Sequence, residues 1–223
     1  MRMHKKSHLE ERIEACSDIV TVADMSEKNM SVAADIPQTL PLEKIFGNTN
    51  PVHLEIGCGK GKFVCEMAVK HPEINFIAVE KISNVLIEAL ERAKAENLKN
   101  VHFLNCAAEV LKRYFNEGAI SRIYLNFSNP LPKEGYKKQR LTHPRFLTIY
   151  KYLLDGKGEI YQKTDDRDFY LFSIESYREE DFEIIETCED LAANPVEDDV
   201  ETEHEKLFKE RGKPIYRIAA VRP

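Results

Sequence analysis

The sequence lacks several features that mark special classes of protein. No apolar run approaches the roughly 18 residues that span a bilayer, so we expect no transmembrane helix and no membrane partner. The basic opening at residues 1–6 has no apolar stretch behind it, which argues against a secretory signal. The chain also has no internal repeat and no low-complexity tract, which excludes repeat architectures.

Cysteine is scarce, and its spacing is uninformative for metals. The chain has five cysteines, an odd number, and no pair has metal-ligand spacing: Cys16, Cys58, Cys65, Cys106 and Cys188. Reduced thiols in a cytoplasmic protein are the simplest interpretation. One histidine, His204, lies between two glutamates, but no second histidine stands at ligand spacing, so we expect no metal.

The charge gives no global signal for nucleic acid, because the net charge is −6. Basic residues nevertheless gather in three clusters: Arg2, Lys5 and Lys6; Lys133, Lys137, Lys138, Arg140 and Arg145; and Lys206, Lys209, Arg211, Lys213 and Arg217. A single charged run is usually a solvated face. Three clusters on one face would attract phosphates additively, and sequence alone does not show whether they converge.

What is present is an ordinary globular composition, with 43% hydrophobic and 31% charged residues in 223 positions. Residues 1–48 lack strong periodicity and are interpreted as an N-terminal arm or extension, with the main domain at 49–223. In that domain, alternation predicts strands at residues 52–56, 74–79, 101–104, 123–127, 159–162, 182–185 and 215–221. Helices are predicted at residues 62–70, 82–96, 109–115, 144–154 and 169–178.

This order of elements predicts the α/β class, with a mostly parallel sheet, helices on both faces and an antiparallel addition at one edge. Ligands of such sheets bind beyond the carboxyl ends of the strands. The first of these strands ends in Glu55, Gly57, Gly59 and Gly61, at the spacing G-x-G-x-G. Dinucleotide sites carry G-x-G-x-x-G, and a carboxylate two residues before the turn would repel a pyrophosphate. The same carboxylate suits S-adenosylmethionine, which carries an ammonium and a sulfonium.

The next two strand ends extend this prediction. Glu80 follows the second strand, where an acid accepts hydrogen bonds from ribose hydroxyls. By itself it would more simply cap the next helix, but its place after the glycine turn favours the ligand role. The third strand ends in Asn105, Cys106 and Ala107, where a cofactor's adenine would be contacted along its edge. After the fourth strand, two prolines stiffen the loop that contains Asn129 and leads into the second basic cluster.

From Leu54 onward the chain resembles the tRNA (guanine-N7)-methyltransferases, across essentially the whole main domain. The similar segments are Leu54 to Gly61, Glu80, Arg122 to Ser128, Pro130, Pro132, Lys133, Arg140 to Thr142, Lys163 to Asp165, Thr202 to Glu205, Gly212 and Ile215 to Arg217. The resemblance implies a class I, Rossmann-like methyltransferase that uses S-adenosylmethionine and acts on tRNA, as a monomer or homodimer. The glycine turn is common to many methyltransferases, whereas the later segments are specific.

By this resemblance, residues of the cofactor site are Glu55, Gly57, Gly59, Gly61, Glu80, Cys106, Ala107 and Asn129. Asn129 is also the expected catalytic residue. The expected guanosine contacts are Lys133, Asp165, Thr202, Glu203, His204 and Glu205. The chain departs from the family pattern in four places: Asn129 replaces Asp, Leu131 replaces Trp, Gly135 and Tyr136 replace an Arg-His pair, and Cys106 replaces a polar or acidic residue.

The chemistry makes these departures interpretable. Guanine N7 has a free lone pair, so methyl transfer needs positioning rather than deprotonation. We expect Asn129 to accept a hydrogen bond from the base but to stabilise the cationic product ring less than a carboxylate would. Two alternatives stay open. The Asn-Pro-Leu-Pro segment is similar to that of enzymes that methylate exocyclic amines or protein amides, and a catalytically weakened tRNA-binding or cofactor-binding paralogue would also keep Glu55 and Glu80.

Overall fold

The computed structural model describes residues 5–23, 37–196 and 200–223. Arg2, part of the first basic cluster, lies outside these residues. The strands are β1 (Val20–Val22), β2 (Val52–Ile56), β3 (Asn75–Val79), β4 (Val101–Asn105), β5 (Ile120–Asn126), β6 (Leu154–Thr164), β7 (Glu183–Cys188) and β8 (Tyr216–Val221). The helices are α1 (Leu9–Glu14), α2 (Leu42–Phe46), α3 (Lys62–Lys70), α4 (Ser83–Ala95), α5 (Pro144–Leu153), α6 (Arg167–Glu179) and α7 (Glu203–Glu210).

One eight-stranded sheet organises the molecule, in the order β1-β4-β3-β2-β5-β6-β8-β7. The first six strands in this order pair in parallel, while β8 runs antiparallel to both β6 and β7. Every residue of β2, β3 and β4 is buried, as expected for central strands covered on both faces. Two apolar clusters flank the sheet, one containing Leu54 and Ile77 and the other Phe76 and Ala78. Successive side chains of β3 therefore enter opposite cores.

The predicted α/β class, with its antiparallel edge, is confirmed. The structure differs from the prediction in several places, of which three bear on the main domain. Residues 109–115, predicted as an α-helix, contain the 3-10 helix Ala108–Arg113. Strand β6 begins at Leu154, five positions before the predicted start, and its pairing with β5 carries a register shift between Ile120 and Arg122. Helix α7 was not predicted, because its Thr202–Glu205 start resembled an isolated turn.

The segment before the main domain contributes to the sheet. Val20, Thr21 and Val22 pair in parallel with Phe103, Leu104 and Asn105 and make β1 an edge strand. Three residues are too short for alternation to be recognised in a sequence. The interpretation of residues 1–48 as an extension remains a prediction. In the described part of the chain, none of the helices has the length and apolar character required to cross a membrane.

Candidate active site

Two adjoining cavities lie beyond the carboxyl ends of the central strands, with volumes of about 350 and 230 Å³. Gly57, Asn126 and Phe127 line both. The larger cavity is bordered by the ends of β2 to β5, and the smaller one by the glycine turn and the start of α7. The parallel strands thus bring together segments that are distant in sequence, as expected at this edge of an α/β sheet.

The glycine turn between β2 and α3 exposes its backbone to the cavities. Gly57 and Gly59 have φ values of +85° and +56°, and a Cβ at either position would meet no atom within 4 Å. Gly61 differs, because it immediately precedes α3 with a φ of +76° and a Cβ there would lie 2.6 Å from the Cβ of Ala89. The first two glycines therefore give a ligand access to backbone, while the third allows α3 to pack against α4.

Glu55 places a carboxylate below this turn, where it is 3% exposed. Its Oε1 accepts a hydrogen bond from Asn126 Nδ2 at 3.1 Å, whereas Oε2 has no partner among the described residues. Burial raises the pKa of Glu55 to about 7, against the opposing effects of the Asn126 hydrogen bond and the positive charge of Lys163. A buried carboxylate with a free oxygen and a raised pKa is poised to receive a cationic group.

Glu80 lines the larger cavity and also organises the turn. Its Oε2 accepts a hydrogen bond from the Gly59 backbone N–H at 3.3 Å, and Oε1 accepts one from the Ile82 N–H at 2.8 Å. The capping and ligand interpretations of Glu80 are therefore compatible, because each carboxylate oxygen keeps a second lone pair. Asn105 Nδ2 donates to the Glu80 carbonyl at 2.7 Å and fixes the end of β3 against β4.

The end of β4 supplies an apolar wall. Cys106 lines the larger cavity and is buried, and burial raises the pKa of its thiol far above the usual range, so the thiol is neutral. Ala107 precedes the 3-10 helix and is only partly exposed. Its neighbour Ala108 lines the cavity instead. Of the two predicted adenine contacts, Cys106 therefore lines the cavity and Ala107 does not, and the adenine site stays a prediction.

The loop after β5 contains Asn129, which is exposed and lines the larger cavity. Asn129 Oδ1 accepts a hydrogen bond from the Leu131 backbone N–H at 3.1 Å. Leu131 has a φ of +46°, a left-handed conformation that non-glycine residues seldom adopt. Its carbonyl accepts a hydrogen bond from Arg140 Nη2 at 3.2 Å. The loop therefore holds a strained conformation through contacts at both sides of Leu131.

The Thr202–Glu205 segment forms the start of α7 rather than an isolated turn. Thr202 and Glu205 make a reciprocal capping box, and Glu205 is 2% exposed. Glu205 Oε2 lies 3.0 Å from Lys163 Nζ, and Oε1 lies 3.0 Å from Lys209 Nζ. Burial opposes ionisation of Glu205, but these two lysines outweigh it and lower the pKa. The carboxylate is thus an ion-pair partner that fastens α7 to β6.

An aromatic stack joins α7 to the loop after β5. The rings of Phe127 and His204 are 5.7 Å apart at an interplanar angle of 18°, and Phe208 lies beside both. His204 and Glu203 are exposed, and both line the smaller cavity with Thr202. Among the described residues, no group of three or more His, Cys, Asp and Glu side chains is placed to hold a metal ion.

Three of the expected guanosine contacts lie outside the linings of these two cavities: Lys133, Asp165 and Glu205. Lys133 is exposed at the residue before the 3-10 helix Glu134–Gln139. Asp165 follows β6 and its Oδ2 lies 3.8 Å from Lys213 Nζ. The third basic cluster is partly neutralised in this way, since Lys209 and Arg217 also pair with glutamates. The side chains of Lys133 and Asp165 are accessible to a large ligand that extends beyond the cavities.

Sequence reasoning missed three residues of this site. Asn126 holds Glu55, Phe127 stacks on His204, and Lys163 pairs with Glu205. Asn126 could have been recognised as a polar residue at the end of an apolar strand. Phe127 has a φ of +50°, and neither this conformation nor the burial of Lys163 leaves a signal in the sequence.

Comparisons with known proteins bear on this geometry. Residues 49–218 match the model of a family described as putative methyltransferase. A tRNA (guanine-N(7)-)-methyltransferase of Geobacillus thermodenitrificans (strain NG80-2) is 43% identical over 180 residues, which cover 81% of this chain and 83% of that protein. One of Macrococcus caseolyticus (strain JCSC5402) is 40% identical over 99% of both chains. A solved structure, described as an antibiotic related methyltransferase, superposes with a TM-score of 0.59 at 16% identity, covering 81% of this chain and 92% of that one.

Proposed function

The chain belongs to the family of tRNA (guanine-N7)-methyltransferases, and from this premise we propose that the protein transfers a methyl group from S-adenosylmethionine to N7 of a guanine in tRNA, at the two cavities described above. The observation that carries the proposal is the free Oε2 of buried Glu55 beside the open glycine turn. A carboxylate oxygen that is buried without a hydrogen-bond partner is costly, and a cationic ligand would satisfy it.

The residues present fit S-adenosylmethionine. Glu55 would hold the ammonium group, Gly57 and Gly59 leave room for the ligand against the backbone, and Glu80 would accept hydrogen bonds from the ribose hydroxyls. Cys106 offers a neutral apolar wall for the adenine. When bound, this cofactor supplies an electrophilic methyl group on its sulfonium.

The protein's own contribution to the reaction is positioning. Guanine N7 needs no general base, so the site requires only a surface that holds the base in line and excludes water. Asn129 stands at the exposed mouth of the larger cavity, in a loop fixed by Leu131 and Arg140. Because Asn129 is neutral, it stabilises the cationic product ring through a dipole only. We expect a slower chemical step than a carboxylate would give.

The tRNA would approach over the second basic cluster and the start of α7. Lys133 and Lys138 are exposed, and the structure provides no carboxylate partner for either among the described residues. Glu203 and His204 border the smaller cavity, and Asp165 lies near Lys213. We assign guanosine recognition to the exposed side chains of Lys133, Glu203 and His204 and to the half-buried side chain of Asp165. Thr202 and Glu205 serve it indirectly, because their side chains are occupied in the capping box and the pair with Lys163.

The test is incubation of the purified protein with labelled S-adenosylmethionine and unmodified tRNA, followed by nucleoside analysis. We expect 7-methylguanosine, and we expect Glu80→Ala to abolish it because the ribose contact and the hydrogen bond from the Gly59 N–H are both lost. Another methylated nucleoside, or label in protein, would instead support a different N-methyltransferase. Cofactor binding without product would support a catalytically weakened paralogue.

A further inference from the structure

A buried hydrogen-bond network joins helix α6 to residues 127–143, the segment between β5 and α5 that we call the β5–α5 loop. The Ser173 hydroxyl of α6 lies 2.7 Å from the carbonyl oxygen of Phe169. It also lies 2.9 Å from Gln162 Nε2 and 2.8 Å from the hydroxyl of Thr142, in the loop. The side chains of Ser173, Gln162 and Thr142 are all buried, so their polar groups depend on one another for hydrogen bonds.

The direction of each bond in this network follows from the atoms that meet. The Phe169 carbonyl can only accept, so it takes the single hydroxyl hydrogen of Ser173. Ser173 therefore accepts in its other two contacts, and Thr142 donates to it. For the same reason the Gln162 amide turns Nε2 toward Ser173, which leaves Oε1 to accept from the Tyr177 hydroxyl at 3.2 Å. The Ser173 hydroxyl is thus saturated, with one bond donated and two accepted.

Helix α6 makes a second contact with the loop through Phe172. The guanidinium carbon of Arg140, a buried residue, lies 4.6 Å from the ring centroid of Phe172. Arg140 Nη2 donates to the Leu131 carbonyl, and the Leu131 N–H donates to Asn129 Oδ1. Two adjacent residues of α6 therefore hold the loop at two points, Arg140 and Thr142, and the first of these points leads by direct contacts to Asn129.

The part of the loop that α6 holds forms a wall of the larger cavity. Gln139 and Leu141, on either side of Arg140, both line this cavity. None of the residues of α6 lines either of the two cavities of the site. A ligand in the larger cavity would therefore meet the loop and not the helix, and the helix would act on that ligand only by fixing where the loop lies.

We propose, as an inference that rests on the proposed function, that Ser173 is a positioning residue for methyl transfer. By accepting the Thr142 hydrogen bond, it keeps the wall of the larger cavity and the Asn129 loop where the reaction requires them. Methylation of N7 depends on the alignment of two reactants, and a displacement of about 1 Å can lower such a rate about a hundredfold. A shift of roughly half an ångström would then lower it about tenfold.

Thr142→Val and Thr142→Ser are the matched variants, because valine keeps the shape of threonine without its hydroxyl and serine keeps the hydroxyl. Single-turnover methylation of unmodified tRNA at saturating S-adenosylmethionine measures the chemical step. We expect Thr142→Val to lower this rate about tenfold and Thr142→Ser to keep it within about twofold. The calorimetric Kd of S-adenosylhomocysteine should change less than about twofold in both, because distant independent sites do not couple and the network makes no hydrogen bond to Glu55 or Glu80.

The same bond can be removed from the helix. Ser173→Ala should lower the single-turnover rate as Thr142→Val does, and the double variant should be no slower, because one bond cannot be lost twice. Ser176→Ala is the control, since it removes another buried hydroxyl of α6 that makes no hydrogen bond to the β5–α5 loop. Its rate should equal that of the wild type.

Hydrogen exchange measured by mass spectrometry reports on the loop without catalysis. Amides of residues 131–143 should exchange about fivefold faster in Thr142→Val, the effect of one neutral hydrogen bond, and at the wild-type rate in Thr142→Ser. Equal rates of methylation in these two variants, equal exchange, or a loss in Thr142→Val confined to thermal stability would each overturn the inference. A wild type that forms no 7-methylguanosine refutes the proposed function, whereas an active wild type with an equally active Thr142→Val refutes this inference alone.

Discussion

Lowering the pH through 7 should weaken binding of S-adenosylhomocysteine, the demethylated product, because its ammonium group needs the ionised form of Glu55. Burial raises the pKa of this carboxyl from 4.5 to about 7 in the ligand-free protein. The ionised fraction then falls from roughly three quarters at pH 7.5 to about one tenth at pH 6. If the ligand binds only that fraction, its apparent Kd rises about eightfold over this range.

Isothermal titration calorimetry of the product at several pH values measures this effect directly. Glu55→Gln is the matched variant, because glutamine preserves the shape and an acceptor for Asn126 but does not titrate. We expect weaker binding to the variant, with an affinity that changes little between pH 6 and 7.5. An equal pH trend in both proteins would assign the titration to another group and refute the reasoning.

The same substitution should stabilise the ligand-free protein at alkaline pH. The folded state favours neutral Glu55 up to about pH 7, whereas the unfolded chain ionises near 4.5. The stability that this raised pKa contributes is complete below 4.5 and is lost as the pH rises through 7. In urea unfolding, the variant should therefore gain roughly 2 kcal/mol relative to the wild type between pH 5 and pH 8. A constant difference would contradict the raised pKa.

Two further predictions concern the packing around the site. Gly61→Ala should destabilise the fold by at least about 2 kcal/mol, from the left-handed φ and the approach to Ala89, whereas Gly135→Ala, with open space and no left-handed φ, should be nearly neutral in thermal unfolding. Glu205→Leu should cost about 3–5 kcal/mol because Lys163 stays buried without its carboxylate, and adding Lys163→Met should recover most of that loss. Equal stabilities of the single and double variants would show that the pair is not the cause.

Much of the fold could be predicted because its strands are short, continuous and apolar. Helix α3 begins and ends at the predicted residues, since a glycine turn precedes it and its apolar spacing is regular. Strand β1 could not be predicted, because its three residues gain their place only by pairing with β4. The start of β6 was also missed, since residues 154–158 carry glycines and charges that are untypical of strands.

The residues of the candidate site were likewise only partly predictable from the sequence. Glu55 and Glu80 could be identified from sequence, because an acid at a strand end beside a glycine turn has few structural explanations. The ion pair between Glu205 and Lys163 could not be predicted, because the two residues are 42 positions apart and meet only when α7 packs on β6. Their assignment as structural partners therefore depended on burial and distance rather than on motif.

The sequence by itself determined the class of sheet, the glycine turn and the residue types at each strand end, because these follow from local spacing and composition. Only the tertiary structure decided which groups are free to act. It left one oxygen of Glu55 unpartnered, engaged Glu205 in an ion pair and directed the oxygen of Asn129 to the Leu131 N–H. Each donor or acceptor can bond to any neighbour in space. Which of them stay free for a ligand is therefore known only when the positions of those neighbours are known.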